Sequence, residues 1–204
     1  MIIIDDKENI PQGGEAWLKL RAGKPSASNF KKIVTSTGAL SKSADDHMVE
    51  LAYERIAGEK TPTYKNGNME RGNEFEPEAC AVFEMNQQLE ARTVSLCMTD
   101  DESILCSPDA LIGNDCGLEI KCKGAKAHWK ELKAGKLPTE HIQQVQGCMY
   151  VTGAKSWYYM SYFPSVRPLI IKIERDDVFI AKLAFELDQF NKQLAILTAQ
   201  IRGE

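Results

Sequence analysis

No apolar run in this 204-residue sequence outlasts the five residues Ala79–Phe83, against the roughly 20 that a membrane-spanning helix needs. Met1–Ile4 passes straight into Asp5 and Asp6 with no basic segment ahead of it, so neither a membrane anchor nor a secretory signal is expected. C-x-x-C pairs are absent, although there are six cysteines: Cys80, Cys97, Cys106, Cys116, Cys122 and Cys148. Four of them lie in apolar or strand-like runs, where a reduced thiol behaves as a small hydrophobe. A chain of this length needs no disulfide frame. Histidine is scarce: His47, His128 and His141 are the only three, and none stands at zinc-finger spacing. The thiols are too dispersed for an iron–sulfur cluster. Repeats, low-complexity tracts and long Pro/Gly/Ser linkers are missing, so one domain over 1–204 is expected. What is present, 43% hydrophobic and 26% charged residues, is the composition of a globular domain in a reducing cytoplasm.

The 25 Lys and Arg fall short of the 29 Asp and Glu, for a net charge of −4. Such a balance argues against a protein that coats nucleic acid indiscriminately. The distribution says more. Trp17–Lys32 contains Lys19, Arg21, Lys24, Lys31 and Lys32 without an acid. Lys121–Lys136 contains six lysines (121, 123, 126, 130, 133 and 136) against Glu131 alone. One such run would read as a solvated helix face; two on an acidic chain point to a focused basic surface.

Periodicity divides the chain into helices, a meander of strands, more helices, two further strands and a final helix. Ser26 is placed to cap a short helix through Phe30 and Ile33. Ser43 with Asp46 reads as a capping box, opening a helix with Met48, Leu51, Ala52 and Ile56 on one face and Gly58 beyond its end. A helical stretch covers about 68–86, with Pro77 either kinking it or starting its regular part. Val94, Leu96 and Met98 alternate as a strand, a second strand is expected over 103–112, and a third over 118–123. Helices near 125–134 and 139–151 precede strands at 156–163 and around Leu169, Ile171 and Ile173. The last segment, 176–202, repeats Phe179, Leu183, Leu187, Phe190, Leu194, Leu197 and Ile201 at helical spacing. That stripe suits packing against the chain's own sheet better than an oligomer seam. The expected class is α/β, with a mixed sheet flanked by helices.

Chemistry concentrates in Ser107-Pro108-Asp109, separated by nine residues from Glu119-Ile120-Lys121. Side chains alternate along a strand, so Glu119 and Lys121 share one face while Ile120 turns into the core. Asp109, on the preceding strand across a short turn, comes within reach of Glu119. Two carboxylates at close range favour a cation between them, and hard oxygen ligands suit Mg²⁺ or Mn²⁺. With a lysine beside them, they are laid out for metal-assisted hydrolysis of a phosphodiester. The bland reading is a surface ion pair on a hairpin.

These residues resemble the PD-(D/E)xK nuclease core, and more closely that of the phage lambda exonuclease and YqaJ-type viral recombinase nucleases. Trp17-Leu18-Lys19-Leu20-Arg21-Ala22-Gly23 with Ser26-Ala27-Ser28 is similar to the family's N-terminal motif. Arg71-Gly72-Asn73-Glu74-Phe75-Glu76 is similar to its G-x-x-x-E helix, and Gln144-Val145-Gln146 to its Q-x-Q helix. Ile173-Glu174-Arg175-Asp176 is similar to its strand end before the last helix.

The resemblance implies a restriction-endonuclease-like PD-(D/E)xK core with a long C-terminal helix. It implies a Mg²⁺-dependent exonuclease, with Mn²⁺ as a substitute and two ions per site. Such an enzyme degrades one strand of linear duplex DNA from its 5′ end to mononucleotides, leaving a 3′ single strand for recombination by annealing. Asp109, Glu119 and the carbonyl of Ile120 would hold the metals, Lys121 would position the attacking water, and Glu76 and Gln144 would reach the same site. Arg21 and Ser28 would bind the 5′-phosphate. Trp17 is expected to be a packing residue, and the segment 61–69 is the candidate strand-separating wedge. The implied partners are duplex DNA ends, a single-strand annealing protein and further copies of the chain in a ring trimer, in a bacterial or phage-infected cytoplasm. A related endonuclease or DNA repair nuclease, and a catalytically inactive DNA-binding recombination scaffold, are the alternatives.

Overall fold

The computed structural model describes residues 1–5, 9–61 and 67–204, without the side chains of 67–71 and 73. The candidate wedge therefore lies largely outside the described residues. Two sheets organise the rest. β1 (Ile2–Ile4), β2 (Leu96–Met98) and β3 (Leu105–Cys106) form a small antiparallel sheet. β4 (Ala110–Ile112), β5 (Cys116–Cys122), β6 (Ser156–Tyr162) and β7 (Leu169–Glu174) form the mixed sheet, in that order. Only the β5–β6 pair is parallel, joined by the crossover helices α5 (Ala125–Ala134) and α6 (Ile142–Thr152), the connection that a parallel pair requires.

The strand expected over 103–112 is two strands in different sheets. Pro108 has no N–H to extend a ladder, so the chain leaves the first sheet after Cys106 and enters the second at Ala110. Ser107-Pro108-Asp109 is left as a bend between the sheets. Ala110 then pairs with Leu118, which sets Asp109 beside Glu119.

Alternation along β5 builds the layers. Leu118 and Ile120 pack with Ala79 and Phe83 of α4 (Gly67–Gln87), together with Met160 and Tyr162 of β6. The opposite face carries Gly117, Glu119 and Lys121 towards α6 and α5. There the Trp157 ring occupies the space beside Gly117, where a Cβ would lie 2.3 Å from it. α4 continues on both sides of Pro77, so the helix does not begin at that proline.

α1 (Glu15–Arg21), α2 (Phe30–Ile33) and α3 (Ala44–Ala57) complete the N-terminal part. Gly58 ends α3 in the left-handed conformation, at φ 72°. Neither Ser43 nor Ser26 caps a helix through its side chain, and Ile56 of α3 is exposed. α7 (Asp177–Arg202) starts where the Asp176 carboxylate accepts the Phe179 N–H at 2.9 Å. Its stripe, Phe179 to Leu194, packs against helices α3, α6 and α2, not against the sheet as the pattern had suggested. All six cysteines are free thiols.

Candidate active site

Strand register brings Asp109, which directly precedes β4, and Glu119 and Lys121 of β5 to one point. The Asp109 Oδ2 accepts the Ile120 N–H at 2.5 Å. Glu119, only 2% exposed, accepts both the Lys121 Nζ, at 2.5 Å, and the Gln144 Nε2, at 2.6 Å, on Oε1. Its Oε2 is buried without a hydrogen-bond partner among the described residues. The three glutamines of α6, Gln143, Gln144 and Gln146, separate by helical phase. Gln143 donates to the Val34 carbonyl, Gln146 to the Glu174 carbonyl, and Gln144 alone reaches Glu119.

Burial raises the pKa of Asp109 well above the carboxylate range, and the charges of Glu119 and Glu76 raise it further. The charge of Glu76, on the α4 helix that packs against β5, is thus felt at Asp109. Burial works against the Lys121 ammonium, but Glu119 and Asp109 outweigh it and raise its pKa. Asp109 and Glu119, the latter with an orphaned oxygen, lie in a desolvated recess whose hard oxygens suit a divalent cation, and the charge of Glu76 is felt there. Asp109, Glu119, the Ile120 carbonyl and Glu76 are the residues that would hold it.

A second acidic group adjoins this one. Ligand atoms of Glu131, Glu140 and His141 lie within 4.8 Å of one another. The Lys123 Nζ sits among them, 2.8 Å from Glu131, 3.4 Å from Glu140 and 3.1 Å from the His141 Nε2. A protein ammonium already supplies the positive charge there. Tyr159 donates to the other Glu131 oxygen at 2.9 Å and its ring lies against His141. Burial lowers the His141 pKa to about 3, helped by Lys123, Lys121 and Lys31. Lys31, from the first basic run, therefore borders the same site as the second.

Arg21 is buried, and its guanidinium is held by hydroxyls: Ser107 at 2.7 Å, Ser26 at 3.1 Å and Ser28 at 3.2 Å. Ser26 and Ser107 escaped the sequence reading because one resembles a helix cap and the other stands only as the residue before Pro108-Asp109. Trp17 does more than pack: the Arg21 guanidinium lies 4.2 Å from the centre of its ring, and its indole N–H donates to the Ser95 carbonyl. Burial lowers the Arg21 pKa to about 10, and among the described residues no carboxylate forms a salt bridge with it. A buried cation in such a setting favours an anion.

A mixed sheet with Asp109, Glu119 and Lys121 at the meeting of two strands defines the PD-(D/E)xK nuclease fold. The chain belongs to the YqaJ-like viral recombinase domain family, whose model matches residues 16–155. It is similar to the alkaline exonuclease LHK-Exo from Laribacter hongkongensis, at 29% identity and a TM-score of 0.83, covering 92% of this chain and 95% of that one. LHK-Exo in complex with dAMP matches equally well. A phage-related exonuclease from Haemophilus somnus 129PT shares the fold at 18% identity and a TM-score of 0.69, covering 87% of this chain and 96% of that one. No curated protein sequence matches the chain.

Proposed function

We propose that this nuclease is a divalent-metal-dependent exonuclease that digests one strand of linear duplex DNA from its 5′ end to mononucleotides. The observation that carries the direction is the buried Arg21 among three serine hydroxyls. A phosphodiester site alone has no directional preference, so polarity needs a second pocket that recognises an end. Arg21 offers a planar fork of donors suited to phosphate. Ser107 lines that pocket and lies two residues from Asp109, a chain separation of at most about 7 Å and so on the scale of one nucleotide. The LHK-Exo complex with dAMP supports mononucleotide release.

Asp109, Glu119, the Ile120 carbonyl and Glu76 would bind Mg²⁺, with Mn²⁺ as substitute and two ions in the site. A bound ion would polarise the scissile phosphodiester and lower the pKa of water. Lys121, fixed by Glu119, holds the attacking water and supplies positive charge where the phosphorane becomes most negative. Gln144 fixes the Glu119 carboxylate. Breaking the P–O3′ bond leaves a 5′-phosphate on the next nucleotide, the group that the Arg21 pocket is built to take. Family membership further supports a ring of three copies and a single-strand annealing partner.

The test compares 5′-phosphorylated with 5′-hydroxyl linear duplex, and both with a covalently closed circle, with and without Mg²⁺. Wild type digests the phosphorylated end fastest and leaves the circle intact. Arg21→Ala loses about tenfold or more on the phosphorylated end, as a charge-assisted contact worth about 1.5–3 kcal/mol predicts, and almost nothing on the hydroxyl end. Equal slowing on both ends, or cutting of the circle, overturns the reading.

A further inference from the structure

Helix α5 leaves the sheet immediately after the catalytic strand and presents two unlike faces. Its inner face is pinned. His128, 1% exposed, bonds the Ser161 Oγ through Nδ1 at 2.9 Å and the Arg167 carbonyl through Nε2 at 3.0 Å. Glu131, the one acid of the helix, is turned inward between Lys123 and Tyr159. Its outer face is left without an acid. Lys126, Trp129, Lys130 and Lys133 stand at i, i+3, i+4 and i+7, a single stripe, and all four are exposed, Trp129 at 64%. Among the described residues no ion pair or ring contact engages any of the four.

One exposed tryptophan is unremarkable. A tryptophan flanked by three unpaired ammonium groups, on a helix whose only negative charge has been withdrawn, is a specific chemical surface. The amines complement a phosphate backbone, and the indole offers a platform for a base that is not already stacked in a duplex. Aromatic platforms interleaved with cations are how single strands are held without sequence preference.

We infer that the outer face of α5 binds single-stranded DNA, namely the strand left unpaired when its complement is digested. This rests on the proposed exonuclease reading for the source of the strand, while the binding itself can be tested without catalysis. The stripe covers about 10 Å of helix axis, room for a short stretch of chain beyond the cleavage site. Guided along α5, the spared strand would be kept from re-entering the active site.

The experiment uses the full chain in EDTA with a fluorescein-labelled 12-nucleotide oligo(dT) and a blunt hairpin duplex as probes. Trp129→Ala is expected to weaken oligo(dT) binding by about 5- to 150-fold, the range for one lost base stack of about 1–3 kcal/mol, and to leave hairpin binding within twofold. Trp129→Phe restores most of the affinity. Lys126→Ala/Lys130→Ala/Lys133→Ala weakens oligo(dT) binding and lowers its salt dependence by about two units of slope. In wild type, oligo(dT) quenches tryptophan emission, and Trp129→Ala removes that quenching although Trp17 and Trp157 remain. Unchanged oligo(dT) affinity in Trp129→Ala overturns the inference, whatever the nuclease activity of that variant. So does an equal loss on both probes, which would make Trp129 structural or a duplex contact. Wild type that binds oligo(dT) through Trp129 but does not digest duplex ends with Mg²⁺ would count against the exonuclease reading alone.

Discussion

Burial and the charges of Glu119 and Glu76 all favour the protonated form of Asp109, so the carboxylate that the proposed chemistry needs is the one the fold resists. The folded chain holds that proton more tightly than the unfolded chain, whose aspartates titrate near 3.9. Stability therefore falls as pH rises above that value, until the folded group has also ionised. Asp109→Asn keeps the size and the acceptor for the Ile120 N–H while removing the charge. In chelator-treated protein it should raise Tm at pH 8, at about 2–4 °C per kcal/mol for a chain of this size. The gain should shrink towards pH 4, and nuclease activity should fall by about a thousandfold or more. A calorimetric scan showing no gain at pH 8 would place the cost of this site elsewhere.

His141 has the opposite sign. Its pKa is lowered to about 3 by burial and by Lys123, Lys121 and Lys31, whereas an unfolded histidine titrates near 6.5. Between those values the unfolded state binds the extra proton, so His141 costs stability as pH falls below 6.5. His141→Phe keeps a ring against Tyr159 and removes that titration. Urea midpoints of the variant should gain on those of wild type between pH 7 and pH 4.5. Parallel pH dependences would show that His141 does not carry the acid sensitivity.

At the scale of elements, α6 is the piece whose position matters most, because it carries Gln144 to Glu119. Gly147 lets it sit against α2: a Cβ there would lie 2.4 Å from the Phe30 Cδ2, and Phe30 is fully buried. Gly147→Ala must push α6 away or force the ring off its rotamer, at about 1–3 kcal/mol. A lowered urea midpoint and a several-fold loss of kcat are expected, with KM for DNA little changed. An unaltered midpoint would mean that the helices separate freely, and the Gln144 contact would then need another support.

Locally encoded elements were legible in the sequence. α5 runs over the residues its periodicity marked, α7 begins one residue past its capping aspartate, and strand parity placed Glu119 and Lys121 on one face. Helical phase, which groups His141, Gln144 and Cys148, also favours Gln144 over Gln143. What could not be read depended on contacts between distant residues. Whether Pro108 bends one strand or divides two sheets depends on which partners Cys106 and Ala110 find. Ser26 and Ser107 meet only around Arg21, 81 positions apart in the chain. The packing of α7 on α3 is likewise invisible in an apolar stripe that any surface would satisfy.

Over the whole molecule, a net charge of −4 coexists with Lys31, Lys121 and Lys123 near one recess and with the lysines on the outer face of the neighbouring α5. The outside repels DNA while the site attracts it, which limits non-specific adhesion but also limits how tightly one copy can hold a duplex. A processive enzyme of this composition needs something other than affinity, and the proposed three-membered ring supplies it by enclosing the DNA. The two origins of processivity respond differently to salt and to competitors. Loading depends on phosphate contacts and should weaken steeply, by about a thousandfold between 50 and 200 mM salt if six phosphates are neutralised. Once a ring has closed around DNA, its digestion should proceed at nearly the same rate in both salts. Enzyme is preloaded on end-labelled duplex in Ca²⁺, then started with Mg²⁺ together with excess heparin. Continued digestion for hundreds of nucleotides, alongside a sedimentation mass of three copies, is the expected result. If heparin stops the reaction within a few nucleotides, or the protein sediments as one copy while remaining fully processive, the enclosing ring is not the source of processivity.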